Sequence, residues 1–300
     1  MRRLALFLAV LSSPLAAFEP MKEQECHDGW ASFSRVFVAP GGAENRGQES
    51  RGSLAIRVTD DGWCRISGQG VAGDALGYAT LDWQTEPAGD AEFPLALRVR
   101  IDDARRLDTS PPSRTDLVPP PPVDVALTLR RVPAARQLIV EQVRVTSPAG
   151  DDLRGTAVLD RVDLSTPGMA QMSLGSVALR QVNAKVRLNG WVESQILPNL
   201  SVEIRGDDGA IREAARGIIA DLARNAFGVE AIQNLYDLVY DLPAPRGDLE
   251  LSMRSESGIG IMQIAIAGLR GVLSVEGSGE VTLDGVRFDV IWTPDPDQTE

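Results

Sequence analysis

The side chains able to do chemistry in this sequence are few, and most are carboxylates. Asp82, Asp160 and Asp284 each close a short motif, Gly-x-apolar-x-Leu-Asp, that occurs three times. Carboxylates held roughly 5 to 10 Å apart run glycoside hydrolysis, so envelope glycan is the substrate such a set would take. An Asp at a strand end also starts a turn by accepting backbone hydrogen bonds. A carboxylate recurring in every unit reads as fold punctuation. The pairs Asp151, Asp152 and Asp207, Asp208 offer oxygen ligands, but neither sits in a complete calcium loop, and they read as a turn and a helix cap. His27 is the single histidine, which leaves no second imidazole for a metal site and no base with a matched partner. No serine occupies a Gly-x-Ser-x-Gly elbow. Gly258-Ile259-Gly260 follows Ser257 at an expected hairpin turn rather than at the strand-to-helix crossover that binds phosphate. The inventory points away from an enzyme, and neither a cofactor nor a metal is expected.

The two cysteines, Cys26 and Cys64, bear on compartment. Arg2 and Arg3, the apolar run at residues 4–11 and the small residues Leu15-Ala16-Ala17 have the form of a secretory signal peptide covering residues 1–17. That apolar run is too short for a bilayer, which needs about 20 such residues. An even cysteine pair in an oxidising compartment is expected to form a disulfide. A metal site from Cys26, His27 and Cys64 lacks a fourth ligand. The formal charge is −12, and it becomes −14 once Arg2 and Arg3 are removed. Such a balance argues against phosphate-backbone binding and against attraction to anionic headgroups.

The elements around these residues are mostly strands. Leu95, Leu97, Val99 and Ile101 alternate with Ala96, Arg98, Arg100 and Asp102, the pattern of a strand with one wet face. Residues 125–162 have an ungapped partner at 249–286. Each copy opens on an alternating strand (Val125, Leu127, Leu129; Leu249, Leu251, Met253), passes through Arg130 or Arg254, and closes on Gly-x-apolar-x-Leu-Asp-x-Val. Self-similarity of this kind marks a repeated strand meander whose apolar face is buried against its neighbours. Residues 18–51 read as a polar arm with one short strand at 33–38, and the proline tract at 108–122 as an extended connection.

The period changes once. Across residues 208–241 apolar residues fall at steps of three and four, including Ile211, Ile218, Leu222, Ile232 and Val239, on one face of a long helix that Gly228 kinks or splits. The fold expected is therefore mainly β with one long helix (α+β): an antiparallel repeated meander forming a large curved sheet packed on an amphipathic helix. Its regions would be the signal peptide 1–17, an N-terminal β region 18–122, a meander domain 123–293 and a disordered tail 294–300. The helix either seals the sheet or leaves a groove for an apolar ligand. Ile218, Leu222, Leu251, Met253, Ile264 and Ile266 are the candidate lining.

The closing motif, with Leu273-Ser274-Val275-Glu276-Gly277-Ser278-Gly279-Glu280-Val281-Thr282-Leu283-Asp284-Gly285, resembles the AsmA-like and YdgA-like periplasmic proteins of Gram-negative bacteria, and the Arg-, Ala- and Pro-rich style is similar to exported alphaproteobacterial proteins. That resemblance implies a long curved β-sheet with a hydrophobic groove and a role in envelope lipid transport or homeostasis. The expected function is a periplasmic, non-enzymatic envelope protein that binds or shields a lipid-like ligand. The alternative is a structural or interaction module with a sealed core, holding a protein partner by a strand edge or the proline tract.

Overall fold

Alternation with period two dictates a sheet, and the computed structural model forms one. It describes residues 18–37, 55–67, 76–88, 93–106, 121–197, 207–220, 222, 226–260, 283 and 285–296. The strands are β1 (Ile56–Val58), β2 (Cys64–Ser67), β3 (Leu76–Gly77), β4 (Thr80–Glu86), β5 (Ala96–Arg106) and β6 (Val123–Val132). They continue as β7 (Gln137–Thr146), β8 (Asp152–Asp160), β9 (Ala178–Leu188), β10 (Gly247–Gly260) and β11 (Val286–Pro294). Apart from β3, which pairs with the far end of β5, they lie in sequence order, each antiparallel to the next. The sheet runs unbroken from β5 to β6 across the proline-rich connection, of which only Pro121 and Pro122 are among the described residues.

Residues opposite one another in an antiparallel pair share a face, so register sorts the side chains. One face carries Ile66, Leu81, Ile101, Val125, Val145, Leu153, Val186, Leu249 and Trp292 in direct succession across nine strands. The row beside it on the other face reads Arg65, Asp82, Arg100, Ala126, Arg144, Arg154, Lys185 and Glu250. Ion pairs knit that second face: Arg65 holds Asp82 bidentately, Asp152 accepts from Arg144 and Arg154, and Lys185 meets Asp248 and Glu250.

The buried core divides between the two ends of the sheet. At the first end Cys26, Cys64, Ile66, Tyr78, Leu81, Trp83 and Val99 pack together, and burial pushes the Tyr78 hydroxyl up to about 12. Helix α1 (Glu23–Phe37) is anchored there by the Cys26–Cys64 disulfide and by Trp30, whose ring lies 5.4 Å from that of Trp83. This helix corrects the reading of residues 18–51 as a polar arm with a strand at 33–38. Cys26, Trp30, Phe33 and Phe37 recur at steps of four, three and four, a helical period diluted by its polar neighbours. At the other end Met253, Ile259 and Val286 are buried with Leu179, Val182, Leu283 and Phe288 packed on them.

The single long helix expected over 208–241 is two helices, α3 (Asp208–Ala220) and α4 (Val229–Tyr240). Asp207 caps α3 by accepting from Gly209 N and Ala210 N, and Gly228, extended at the N-cap, starts α4 afresh. Packing also differs from a sheet laid on a helix: α4 sits against β11 and α3 against α4. There they close the sheet's edge. Phe288 N donates to Ala226 O and Trp292 N to Asn234 Oδ1, while Phe227 stacks on Phe288 at 4.4 Å. Contacts of this kind along an edge strand oppose pairing with another chain.

Other details depart from the sequence reading. Gly258 and Gly260 end β10 after a bulge rather than forming a hairpin turn. Asp295 of the supposed tail is held by Arg187 at 2.7 Å. A short helix, α2 (Pro167–Leu174), follows β8. The repeat has a backbone echo: Arg161 and Gly285, at equivalent positions, are both left-handed, with φ of 63° and 73°.

Two outcomes follow from this construction. Cys64→Ser, removing a cross-link that spans 38 residues, should lower the urea-unfolding free energy by about 4 kcal/mol. Asp152 is held at about 2, against an ordinary 3.8, by Arg154 and then Arg144. Its contribution is therefore complete above pH 3.8 and disappears as the pH falls through about 2. Asp152→Asn should be less stable than wild type at neutral pH and equal to it near pH 2, measured by acid titration of denaturant midpoints.

Candidate functional site: the uncovered apolar span

Between the two buried ends lies a span that no described element covers. Every residue of β7 and β8 is half-buried or exposed; none is fully buried, although these strands sit in the middle of the sheet. In a two-layer domain the middle strands are where the core should be deepest. The reason is the placement of the helices: α1 serves β1 to β4 and α4 serves β11, and among the described residues the segment after β8 meets the apolar face of β6 only at Arg131, through Leu164.

Register defines the surface row by row. One row is Val125, Val145, Leu153, Val186 and Leu249; the next is Leu127, Val143, Gly155, Ala184 and Leu251; the third is Leu129, Val140, Ala157, Val182 and Met253. Gly155, Ala157 and Ala184 are neighbours at the centre. With branched side chains on all sides, they lower the floor into a shallow trough. A Cβ at Gly155 would come within 3.1 Å of Val143 Cγ1, so the floor there is backbone. The footprint, four strand spacings by six residues, is about 19 by 20 Å or on the order of 400 Å². Apart from Met253, which is buried, its apolar side chains are half-buried rather than exposed, and apolar surface patches of about 300–600 Å² are often functional.

The six residues proposed from sequence fall in three places. Leu251 and Met253 share the apolar face of β10, Leu251 half-buried in the trough wall and Met253 buried in the terminal cluster. Ile218 is 60% exposed on α3 and Leu222, just beyond that helix, is half-buried. Ile264 and Ile266 lie outside the described residues, as does Asp284. The structure thus brings together Leu251 and Met253 on the face they share with β9, β8 and β7, whose apolar residues the sequence reading did not select. The signal for them was present in the alternation of residues 138–145 and 153–159.

The carboxylates are spoken for. Asp82 lies in mid-strand, 4% exposed and clasped by Arg65, rather than at a turn. Asp160 ends β8 and accepts from Gln137 and Arg180. With four strand spacings between them, about 19 Å, they are too far apart to act on one glycosidic bond. Asp151, 1% exposed, takes Ser147 Oγ and the backbone N–H groups of Asn189 and Trp191, tying two loops at one end of the sheet. Among the described residues no cluster of His, Cys, Asp or Glu has metal-site geometry, and no helix is long and apolar enough to cross a membrane.

No protein-family model matches the chain, and no curated protein is significantly similar to it.

Filling the trough separates binding from stability. Ala184→Phe should leave the unfolding free energy within about 1 kcal/mol of wild type, because no partner surface is there to be overpacked. It should weaken binding of an environment-sensitive apolar dye at least about tenfold. Met253→Ala, in the buried cluster, should instead cost about 2–5 kcal/mol.

Proposed function

We propose that this is an exported, non-enzymatic protein of the Gram-negative periplasm that holds a lipid-like apolar ligand on the face of β6 to β10. One observation carries the reading: β7 and β8, well inside the sheet, contain no fully buried residue, while their apolar side chains form a continuous surface. Covering such a surface gains about 25 cal/mol for each Å² removed from water, and a flexible acyl chain fits a broad shallow trough better than a compact polar ligand does. The basic and apolar leader at residues 1–17 and the buried disulfide are consistent with export to an oxidising compartment. The likeness of the closing motif to AsmA-like and YdgA-like proteins points to envelope lipid homeostasis as the setting. Engagement of a partner by strand addition is less favoured, because the β11 edge is already occupied by Ala226 and Asn234.

Native mass spectrometry of the chain purified from a periplasm, followed by organic extraction, tests the proposal. Near-stoichiometric phospholipid or fatty acid is the expected result. A protein that emerges without lipid and takes none up from mixed vesicles would exclude it.

A further inference from the structure

The fourth row of the apolar face differs from the other three. It reads Arg131, Leu138, Leu159, Leu179 and Ile259. Among the paired residues of β6 to β10, Arg131 is the only charged group on that face; its neighbour Arg130 points to the other side and meets Glu141 and Glu86. Arg131 is 8% exposed. Its Nη1 donates to Leu164 O at 2.6 Å, its Nε is buried without a partner, and its Nη2 makes no hydrogen bond to a described residue. Among the described residues no carboxylate forms an ion pair with it: Asp163, held below its usual range by Ser165 and then by Arg136 and Arg131, pairs with Arg136 at 3.9 Å instead.

Elsewhere in the protein that same guanidinium edge has a fixed use. Arg65 grips Asp82 through Nε and Nη2 at 2.6 and 2.5 Å. Arg144 and Arg154 both grip Asp152 through Nε and Nη2. At Arg131 the corresponding edge lies beside an apolar surface, and no carboxylate of a described residue accepts from it. A buried unpaired charge is strongly destabilising, and an unsatisfied donor adds about 1–3 kcal/mol. A partner that brings an anionic oxygen to Nη2 relieves the unpaired charge.

We infer that Arg131 anchors the oxyanion head of an acyl lipid, carboxylate or phosphate, whose chain lies along Leu138, Leu159 and Leu179. This rests on the lipid-binding reading above and adds head-group chemistry to it. From β6 to β10 the row is about 19 Å long, enough for an extended long-chain acyl tail running across the strands. A carboxylate or phosphate oxygen accepting from Nη2 supplies the missing countercharge through a charge-assisted hydrogen bond, and an uncharged head would leave the guanidinium as it is. Position 255, equivalent to Arg131 in the repeat, is a serine, also buried with an unpartnered Oγ. A lone hydroxyl cannot replace the cation, so the head group belongs at the β6 end.

The test is titration of the full processed chain with dodecanoate, dodecyl phosphate and dodecanol, all below their micellar concentrations, and with inorganic phosphate alone. Wild type should bind both anionic amphiphiles at least about tenfold more tightly than dodecanol, and inorganic phosphate negligibly. Arg131→Gln should abolish that preference while still binding dodecanol, Arg131→Lys should keep part of it, and Arg130→Gln, on the opposite face, should keep all of it. Equal binding of the three amphiphiles by wild type, or a preference that survives in Arg131→Gln, overturns the inference and leaves lipid binding standing. If Arg131→Gln fails to fold, the wild-type ratio and the Arg131→Lys ratio decide in the same way. Binding of none of the amphiphiles overturns the lipid-binding reading itself. Tight binding of inorganic phosphate alone would make Arg131 a phosphate site and overturn the acyl part.

Discussion

An antiparallel strand puts every second side chain on the same face, and in this protein that rule runs almost unbroken across ten strands. The consequence is one apolar face broader than the described helices cover. Both three-turn helices of the C-terminal half, α3 and α4, are engaged at the β11 edge, and α1 is pinned to the opposite end by a disulfide. Everything else about the molecule follows from this shortage of cover. Two compact cores form where helices meet the sheet, and a thinly protected span joins them.

The span does not unravel because its backbone is satisfied on both sides by neighbouring strands and its other face is laced with ion pairs. Asp152 gathers two arginines and Lys185 two carboxylates. Individually such half-exposed pairs contribute little, about 0–1 kcal/mol each, but they fix register, and register keeps Leu153 opposite Val145 and Val186 on one face. A slip by one residue would exchange the two faces. The polar side therefore acts as the alignment device for the apolar side.

Much of this was legible in the sequence. The alternation at residues 95–101 and 125–130 appears as β5 and β6, the cysteine pair as a disulfide, and Asp207 as a cap. What was not legible depended on contacts between distant residues. Helix α1 is mostly polar in sequence, and it is tied down by Cys64 and Trp83, far along the chain. The division of 208–241 into two helices was foreshadowed by Gly228, but their placement at a sheet edge is set by Phe288 and Trp292, which no local period reveals. Asp82 carries the motif of a turn residue yet sits in mid-strand, because Arg65 across the ladder neutralises it there. Leu251 and Met253 were correctly assigned to one face by period alone. The same logic applied to residues 138–159 would have reached β7 and β8, but periodicity cannot say whether a face is covered.

Arg131 shows the same limit from the other direction. The repeat draws attention to Arg130 and Arg254, which match, and so away from the next position, where the copies differ. In the phase of Val125, Leu127 and Leu129, residue 131 should be apolar. An arginine there puts the one charged group among the paired residues of a face that is otherwise apolar from β6 to β10 apart from Ser255. Were the face simply a core, a leucine would pack against Leu138 at no electrostatic cost, as replacement of buried ion groups by apolar residues is often neutral or stabilising. Were it simply solvent-facing, the guanidinium would be hydrated and its Nε would not be sealed from water. A cation half-satisfied by Leu164 O at the rim of an apolar trough fits neither environment. It fits a boundary between an apolar chain and a charged head.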